Sequence, residues 1–299
     1  MARLKRSVGV GRCTSDSHAL RTSKRATHRQ KIISIVQVEK MARKFAITIA
    51  YDGTKYGGWQ LQINAITIQQ RLTEAILKAT TERTHIQGSG RTDSGVHALG
   101  QVGAFSLKNW NHDSGKLALA INRYLPTDIV VRKCRDVVME FDPIRDARSK
   151  RYRYTIRNSK VADVMSHKFH WWLPKKLDHD AMREGAAFLL GTHDFKGFET
   201  PGSPRLTTTR TVYALEVASV PTMDGLDVWI DVEADGFLYN MVRNIVGTLR
   251  DIGADRFGPR WMQSALEARE RHQTDLTAPA RGLCLMQVNY PESLFIGEE

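Results

Sequence analysis

The sequence predicts an α+β fold of two lobes, each mixing strands with helices. Three observations point there. Segments of period-two apolar alternation interleave with segments at helical spacing, in similar order in both halves of the chain. With 299 residues there is enough chain for two cores. The 41% hydrophobic and 25% charged content is ordinary for a globular protein.

Each element has a local reason. Lys44–Asp52 alternates Phe45, Ile47, Ile49 and Tyr51 with smaller or polar residues, a half-buried strand ended by Asp52-Gly53. Thr67-Ile68-Gln69-Gln70 is a capping-box pattern, and Ile68, Leu72, Ala75, Ile76 and Ala79 follow at helical spacing. A glycine-rich loop precedes a strand over Gln101–Leu107. The polar stretch Asn109–Gly115 leads into a helix near Lys116–Tyr124, stopped by Pro126, and a strand over Ile129–Cys134. These make up the first lobe, residues 44–147. The second lobe, residues 148–291, opens with a strand that carries Tyr152, Tyr154 and Ile156 on one face and Arg151, Arg153, Thr155 and Arg157 on the other. A helix is predicted from Asp178 or Asp180 as N-cap to Gly191 as C-cap. Gly197–Thr211, rich in Gly, Pro, Ser and Thr, reads as a mobile loop. Strands over Val212–Val220 and Leu226–Val232, helices over Phe237–Ile252 and Arg260–His272, and a strand over Leu283–Tyr290 complete the lobe. Residues 292–299 are a tail.

Several function classes are excluded. No run of about 18 apolar residues exists, so no transmembrane helix and no membrane partner are expected. The first residues lack the apolar core of a secretory signal. Cys13, Cys134 and Cys284 include no CxxC pair, which fits a reducing compartment and offers neither a disulfide framework nor a zinc site. The chain reads as cytoplasmic. Net charge is +12, yet residues 1–44 hold twelve Lys/Arg against Asp16 and Glu39, which leaves only +2 for the rest. Residues 1–43 are expected to be a disordered basic extension. Its role stays open between an RNA-affinity arm, an idle tail and a start misassigned ahead of Met41. Charge alone therefore does not argue for RNA binding.

The most informative segment is GSGRTDSGVHALGQV, Gly88 to Val102. Gly88, Gly90 and Gly95 bracket Arg91 and Asp93, and glycine permits positive φ and close approach to a ligand. A phosphate cradle fails on two counts: no lysine completes GxxxxGK[ST], and Asp93 stands where GxGxxG needs glycine. The loop presents Arg91 beside Asp93, and an adjacent arginine favours the ionised carboxylate, which suits a nucleophile or base. An aspartate in such a loop is more often a turn-former, and His97 more often a packed or surface histidine than a catalyst. No metal motif appears, and none is expected.

GRTDSGVHALGQV resembles the signature loop of the tRNA pseudouridine synthase A family. Further blocks agree in order: YDGTKYGGWQ (Tyr51–Gln60), NRYLP (Asn122–Pro126), KRYRYTI (Lys150–Ile156), GFLYNMVRNIVGTL (Gly236–Leu249) and APARGLCL (Ala278–Leu285). The resemblance runs from about Phe45 to Tyr290, nearly all of the expected folded chain. It implies the pseudouridine synthase fold, with antiparallel sheets flanking a central cleft. It also implies isomerisation of uridines 38, 39 and 40 in the tRNA anticodon stem–loop, without cofactor or metal, by a homodimer. Asp93 would be the nucleophile, attacking uracil C6 or ribose C1′. Arg91 would help flip the base, Tyr152 would stack on the uracil, Arg243 would point toward Asp93, and Leu283 and Leu285 would line the base pocket.

Periodicity alone reads one of these residues differently. Phe237, Met241, Val242, Ile245, Val246 and Leu249 form an apolar arc, and Arg243 and Arg250 lie opposite, on what would be a solvated face. Two departures from the family pattern stand out. Phe141–Ala147 reads FDPIRDA, where Arg145 is preferred over Arg148 as the RNA-contacting arginine, and Tyr239-Asn240 replaces a pair of histidines. Two alternatives stay open: a noncatalytic RNA-binding protein that kept the fold, and a synthase with another RNA target.

Overall fold

A computed structural model describes residues 41–202, 206–270 and 276–297. The extension predicted over 1–43 falls outside the described residues up to residue 40, as do Cys13, the end of the helix predicted to His272, and residues 298–299 of the tail.

The first strand, β1 (Arg43–Tyr51), lies between two neighbouring strands and buries Phe45, Ile47 and Ile49 completely in the core. Helix α1 (Ile68–Thr80) starts where the capping pattern puts it: Thr67 Oγ1 accepts from the Gln70 N–H at 3.3 Å, and Ile68, Leu72, Ala75 and Ile76 are fully buried. Next come β2 (Gln87–Gly88), β3 (His97–Leu107), α2 (Ser114–Asn122) and β4 (Ile129–Val137). Then follow β5 (Ser149–Ser159), β6 (Trp171–Leu173), α3 (His179–Ala187), β7 (Gly191–Asp194), β8 (Thr209–Thr222) and β9 (Gly225–Ala234). The described chain closes with α4 (Met241–Gly253), α5 (Trp261–Ala268), β10 (Leu283–Asn289) and β11 (Phe295–Ile296).

One mostly antiparallel sheet runs through the described residues in the order β11-β4-β1-β3-β10-β5-β9-β8-β7, with β2 on β3 and β6 on β5. The late strand β10 sits parallel to β3, with Leu285 opposite Ala98, and antiparallel to β5, with Leu285 opposite Tyr152. This insertion sets the start of β3 two strand spacings, about 10 Å, from Tyr152. Segments far apart in sequence thereby meet at one place.

Three differences from the sequence reading have physical causes. Helix α3 does start from Asp178, whose carboxylate accepts from the Asp180 and Ala181 N–H groups, but it ends at Ala187; Gly191, at φ +96°, serves the turn into β7 instead of capping the helix. Helix α4 begins at Met241, not Phe237, because Asn240 takes the left-handed conformation (φ 60°, ψ 7°) just ahead of it. The short strands β2, β6, β7 and β11 have two to four residues, too few to show a periodicity. On the far face of β5, Arg153 and Arg157 stand directly across from Asp231 and Asp227 of β9 and pair with them. Those arginines make a cross-strand ladder.

Candidate active site

The loop Ser89–Val96 is held from behind at nearly every residue. Gln101, fully buried on β3, donates through Nε2 to the Gly90 carbonyl at 2.9 Å, while its Oε1 accepts from Ser89 Oγ at 2.6 Å. Tyr51 and Thr92 share a buried hydroxyl–hydroxyl bond of 2.8 Å. The Trp59 N–H donates to the Thr92 carbonyl at 3.0 Å, and Ser94 Oγ to the Tyr56 carbonyl at 3.1 Å. Gly58, at φ +91°, passes so close that a Cβ there would sit 2.5 Å from the Thr92 oxygen. A turn closed by the Val96 N–H on the Asp93 carbonyl at 3.1 Å, with Gly95 at φ +79°, fixes the direction of Asp93. Residues Tyr51–Trp59, read from the sequence as the end of a strand and part of a family block, are thus the bracket on which the loop rests. Nothing in their spacing announces this, since the contact is tertiary.

The loop forms one wall of a cavity of about 990 Å³. Arg91, Asp93, Tyr152, Arg243 and Leu283 all line it, so five of the seven singled-out side chains converge. Two do not. Leu285 is buried inside the sheet, and Arg145 lies exposed, donating to Asp146 at 2.8 Å and to the Glu140 carbonyl at 2.8 Å, while its neighbour Ile144 reaches the cavity. Lys150, Arg210, Phe237 and Asn240 also line the cavity, and the sequence reading gave none of them a role in the site. Lys150 Nζ donates to the Ser89 carbonyl at 2.7 Å, bracing the loop from the β5 side.

The cation beside Asp93 is Arg243, not Arg91. Arg243 Nη1 lies 3.5 Å from Asp93 Oδ2, with 18% and 30% of the two side chains exposed. Arg91 projects outward and makes no ion pair among the described residues. Arg243 is no solvated residue, because α4 is buried on nearly every side: Asn244 and Thr248 are as enclosed as Ile245 and Leu249. Its Nε donates to the Ala278 carbonyl at 2.7 Å and its Nη1 to Asn240 Oδ1 at 2.7 Å, which aims the guanidinium. Burial pushes the Asp93 carboxyl above the usual carboxylate range and Arg243 pulls it back, with burial the larger influence. The sequence reading, in which a neighbouring arginine favours the ionised form, is therefore corrected on two points: the arginine comes from another element, and desolvation outweighs it.

Tyr152 is 9% exposed and meets Phe237 edge to face, ring centres 5.1 Å apart. Burial, with Tyr51 and the Asp93 charge nearby, pushes its phenol upward, so it stays protonated at neutral pH. Tyr154, two residues on, is fully buried and donates to the Pro279 carbonyl at 2.8 Å, a core role. His97 is packed as well. Its Nδ1 accepts from the Gly53 N–H at 3.0 Å, so the proton sits on Nε2, which faces the carbonyls of Lys168 at 3.0 Å and Arg281 at 3.2 Å. Burial pulls its pKa down despite the nearby Asp52. Among the described residues no cluster of three or more His, Cys, Asp or Glu side chains is arranged to hold a metal, and no helix is long and apolar enough to cross a membrane.

Comparison with known proteins finds relatives over most of the chain. A family described as tRNA pseudouridine synthase matches residues 47–143 and 186–291. The chain is 43% identical over 253 residues to the tRNA pseudouridine synthase A of Pelobacter propionicus, covering 83% of this chain and 100% of that protein. It is 40% identical over 248 residues to its namesake from Acetivibrio thermocellus, again 83% of this chain and all of the relative. Over 246 residues it is 43% identical to the one from Moorella thermoacetica, 82% of this chain and 98% of the relative.

Proposed function

This chain belongs to the tRNA pseudouridine synthase family, and we propose that it isomerises uridines 38, 39 and 40 of the tRNA anticodon stem–loop with Asp93 as nucleophile. The observation that carries the reading is one carboxylate, largely desolvated, inside a cavity of about 990 Å³ with ample room for an extruded nucleotide, with a guanidinium at 3.5 Å and a tyrosine ring on the adjoining wall. A carboxylate on a protected wall, paired but not neutralised by a second acid, suits nucleophilic attack at uracil C6 or ribose C1′. The C1′–N1 bond then breaks, the base turns, and C1′ joins C5; the bond between Asp93 and the substrate breaks to return the carboxylate, the C5 proton leaves and N1 gains one. Atoms and electrons balance without a cofactor.

The other residues follow from what this reaction needs. Extruding a base from a stem costs a few kcal/mol, and Arg91, exposed at the cavity rim, is suited to take the vacated place in the stack. Tyr152 supplies the flat partner, worth about 1–3 kcal/mol per stacked base. Leu283 supplies an apolar edge. One site serving three neighbouring positions must read shape and backbone charge. A homodimer that spreads one tRNA over both copies fits the modest +2 outside residues 1–44. In this reading the two α+β lobes flank the cleft and the enzyme works in the cytoplasm.

The test is tritium release from tRNA carrying [5-³H]uridine, followed by mapping of modified positions. Asp93→Ala and Asp93→Asn should release nothing above background while still binding tRNA. Wild-type turnover by either variant would end the proposal, and release confined to positions outside the anticodon stem–loop would redirect its substrate.

A further inference from the structure

The non-aromatic apolar side chains that line the cavity are of two kinds. Val96, Leu238, Met241, Val242 and Leu283 belong to the core and are at most 5% exposed, whereas Ile144 is 56% exposed. One exposed isoleucine on a surface is ordinary and signals nothing by itself. What sets Ile144 apart is the support beneath it. Asp142 Oδ1 accepts from the Ile144 N–H at 2.8 Å and from the Arg145 N–H at 3.0 Å. The Asp142 N–H donates to Asp146 Oδ2 at 2.8 Å, and the Asp146 N–H to the Asp142 carbonyl at 3.0 Å. Tyr290 Oη donates to the Pro143 carbonyl at 2.6 Å, and Phe141 is fully buried against the rings of Tyr290 and Phe295. Gln87 Nε2 donates to the Asp142 carboxylate at 3.2 and 3.3 Å, which ties this turn to the strand leading into the Asp93 loop. Arg145, the residue favoured from the sequence, is held on Asp146 and the Glu140 carbonyl and does not line the cavity. The turn therefore offers the cavity a fixed apolar side chain in place of a charge.

Resting on the reading of Asp93 as nucleophile toward an extruded uridine, we propose that Ile144 is a substrate-contacting residue that covers a base next to that uridine. Extrusion strips two base faces of their stacking partner, one on each neighbour. Arg91, exposed on the same cavity, is suited to one of them, and Ile144 to the other. Isoleucine is among the side chains that wedge against unstacked bases. Such a contact covers any base without reading its identity, as a site serving several neighbouring positions requires. Because the turn is already fixed, little conformational freedom is lost when the contact forms.

The experiment measures tritium release in single turnover at subsaturating enzyme, for the full chain and for Ile144→Ala, Ile144→Leu and Arg145→Ala. The substrate is an anticodon stem–loop with [5-³H]uridine at one position. Two further substrates carry an abasic site on the 5′ or the 3′ side of that uridine. On the intact stem–loop Ile144→Ala should slow release about 3–10-fold, and the other two variants less than about threefold. On one of the abasic substrates the loss from Ile144→Ala should vanish, because the base it covers is gone. An effect on folding alone would persist on both. Where turnover on an abasic substrate is too slow to follow, binding of the same stem–loops by the Asp93→Asn chain gives the same comparison. A loss below about threefold on the intact stem–loop overturns the contact, and so does a loss that persists on both abasic substrates. A larger loss from Arg145→Ala than from Ile144→Ala overturns it too, since the turn would then act through its charge. Asp93→Ala in the same assay keeps the two ideas apart. If it turns over, the nucleophile assignment fails; if it is inactive while Ile144→Ala matches wild type, only the contact does.

Discussion

Replacing Arg243 with methionine should shift the acid limb of the rate profile to higher pH. The guanidinium nitrogen and the Asp93 oxygen are 3.5 Å apart. At that separation Coulomb's law gives about 5 kcal/mol for an effective dielectric near 20 and about 1 kcal/mol in bulk water. The Asp93 side chain keeps 30% of its surface exposed, so solvent screening brings the figure toward the lower end. About 1.5–3 kcal/mol corresponds to about one to two pKa units. The sign follows from the opposing influences on Asp93: burial disfavours the carboxylate, Arg243 favours it, and removing Arg243 leaves burial alone. The rate depends on the ionised form, so it falls as pH drops through the folded-state pKa, and in the variant that fall begins higher. The plateau should also be lower, because Arg243 anchors the Ala278 carbonyl and Asn240. Single-turnover tritium release across the acid and neutral range reads both effects. Arg243→Lys keeps the charge and should lose rate with a smaller shift of the limb. A methionine variant whose limb coincides with wild type would refute the argument, for it would mean that the carboxylate does not sense this cation.

Other outcomes follow from the same geometry. Because burial raises the folded-state pKa of Asp93, its ionised form opposes folding: the associated stability is present below the ordinary carboxylate pKa and lost as pH rises through the folded value. Asp93→Asn should therefore melt no lower than wild type at neutral pH and gain on it as pH rises, a comparison calorimetry can make at matched pH values; a lower melting temperature at neutral pH would contradict it. Gly58→Ala drives a Cβ to 2.5 Å from the Thr92 oxygen at φ +91°, and should cost about 1–3 kcal/mol of stability together with most activity, as denaturant titration and tritium release would report. His97 is depressed by burial, so its contribution is present above the ordinary histidine pKa and lost as pH falls through the folded value. His97→Gln should remove that acid-side loss of stability and, by breaking its buried bonds to Gly53, Lys168 and Arg281, lower stability at neutral pH by about 1–3 kcal/mol.

Local chemistry made much of the fold legible. Thr67 announced α1 because a capping side chain and its helix are neighbours in sequence. The alternation of Tyr152, Tyr154 and Ile156 announced β5 because a half-covered strand must repeat every second residue. Gly191 misled because positive φ marks turns of several kinds, and the helix it was expected to cap had already ended at Ala187. The loop around Asp93 stood out through its glycines. Yet its spacing could not say which arginine would face the carboxylate, and it suggested Arg91.

Arg243 shows the limit most clearly. On a helical wheel it opposes the apolar arc of α4, and a solvated face is the natural reading when one side of a helix is buried. That inference assumes that only one side is buried. In the fold α4 is enclosed on nearly every side, with Phe198 bonded to Asn244 and Ala278 bonded to Arg243.

The sequence by itself determined the order of elements, the loop that offers a carboxylate, and the tyrosine strand, since each is written in residues close enough to interact along the chain. The tertiary structure decided which groups confront one another. It slotted β10 between β3 and β5, set Tyr51 and Trp59 behind Thr92, and brought a guanidinium from about 150 residues away to Asp93. Those encounters arise from packing and loop closure across the whole chain, which leave no periodic mark on the chain itself.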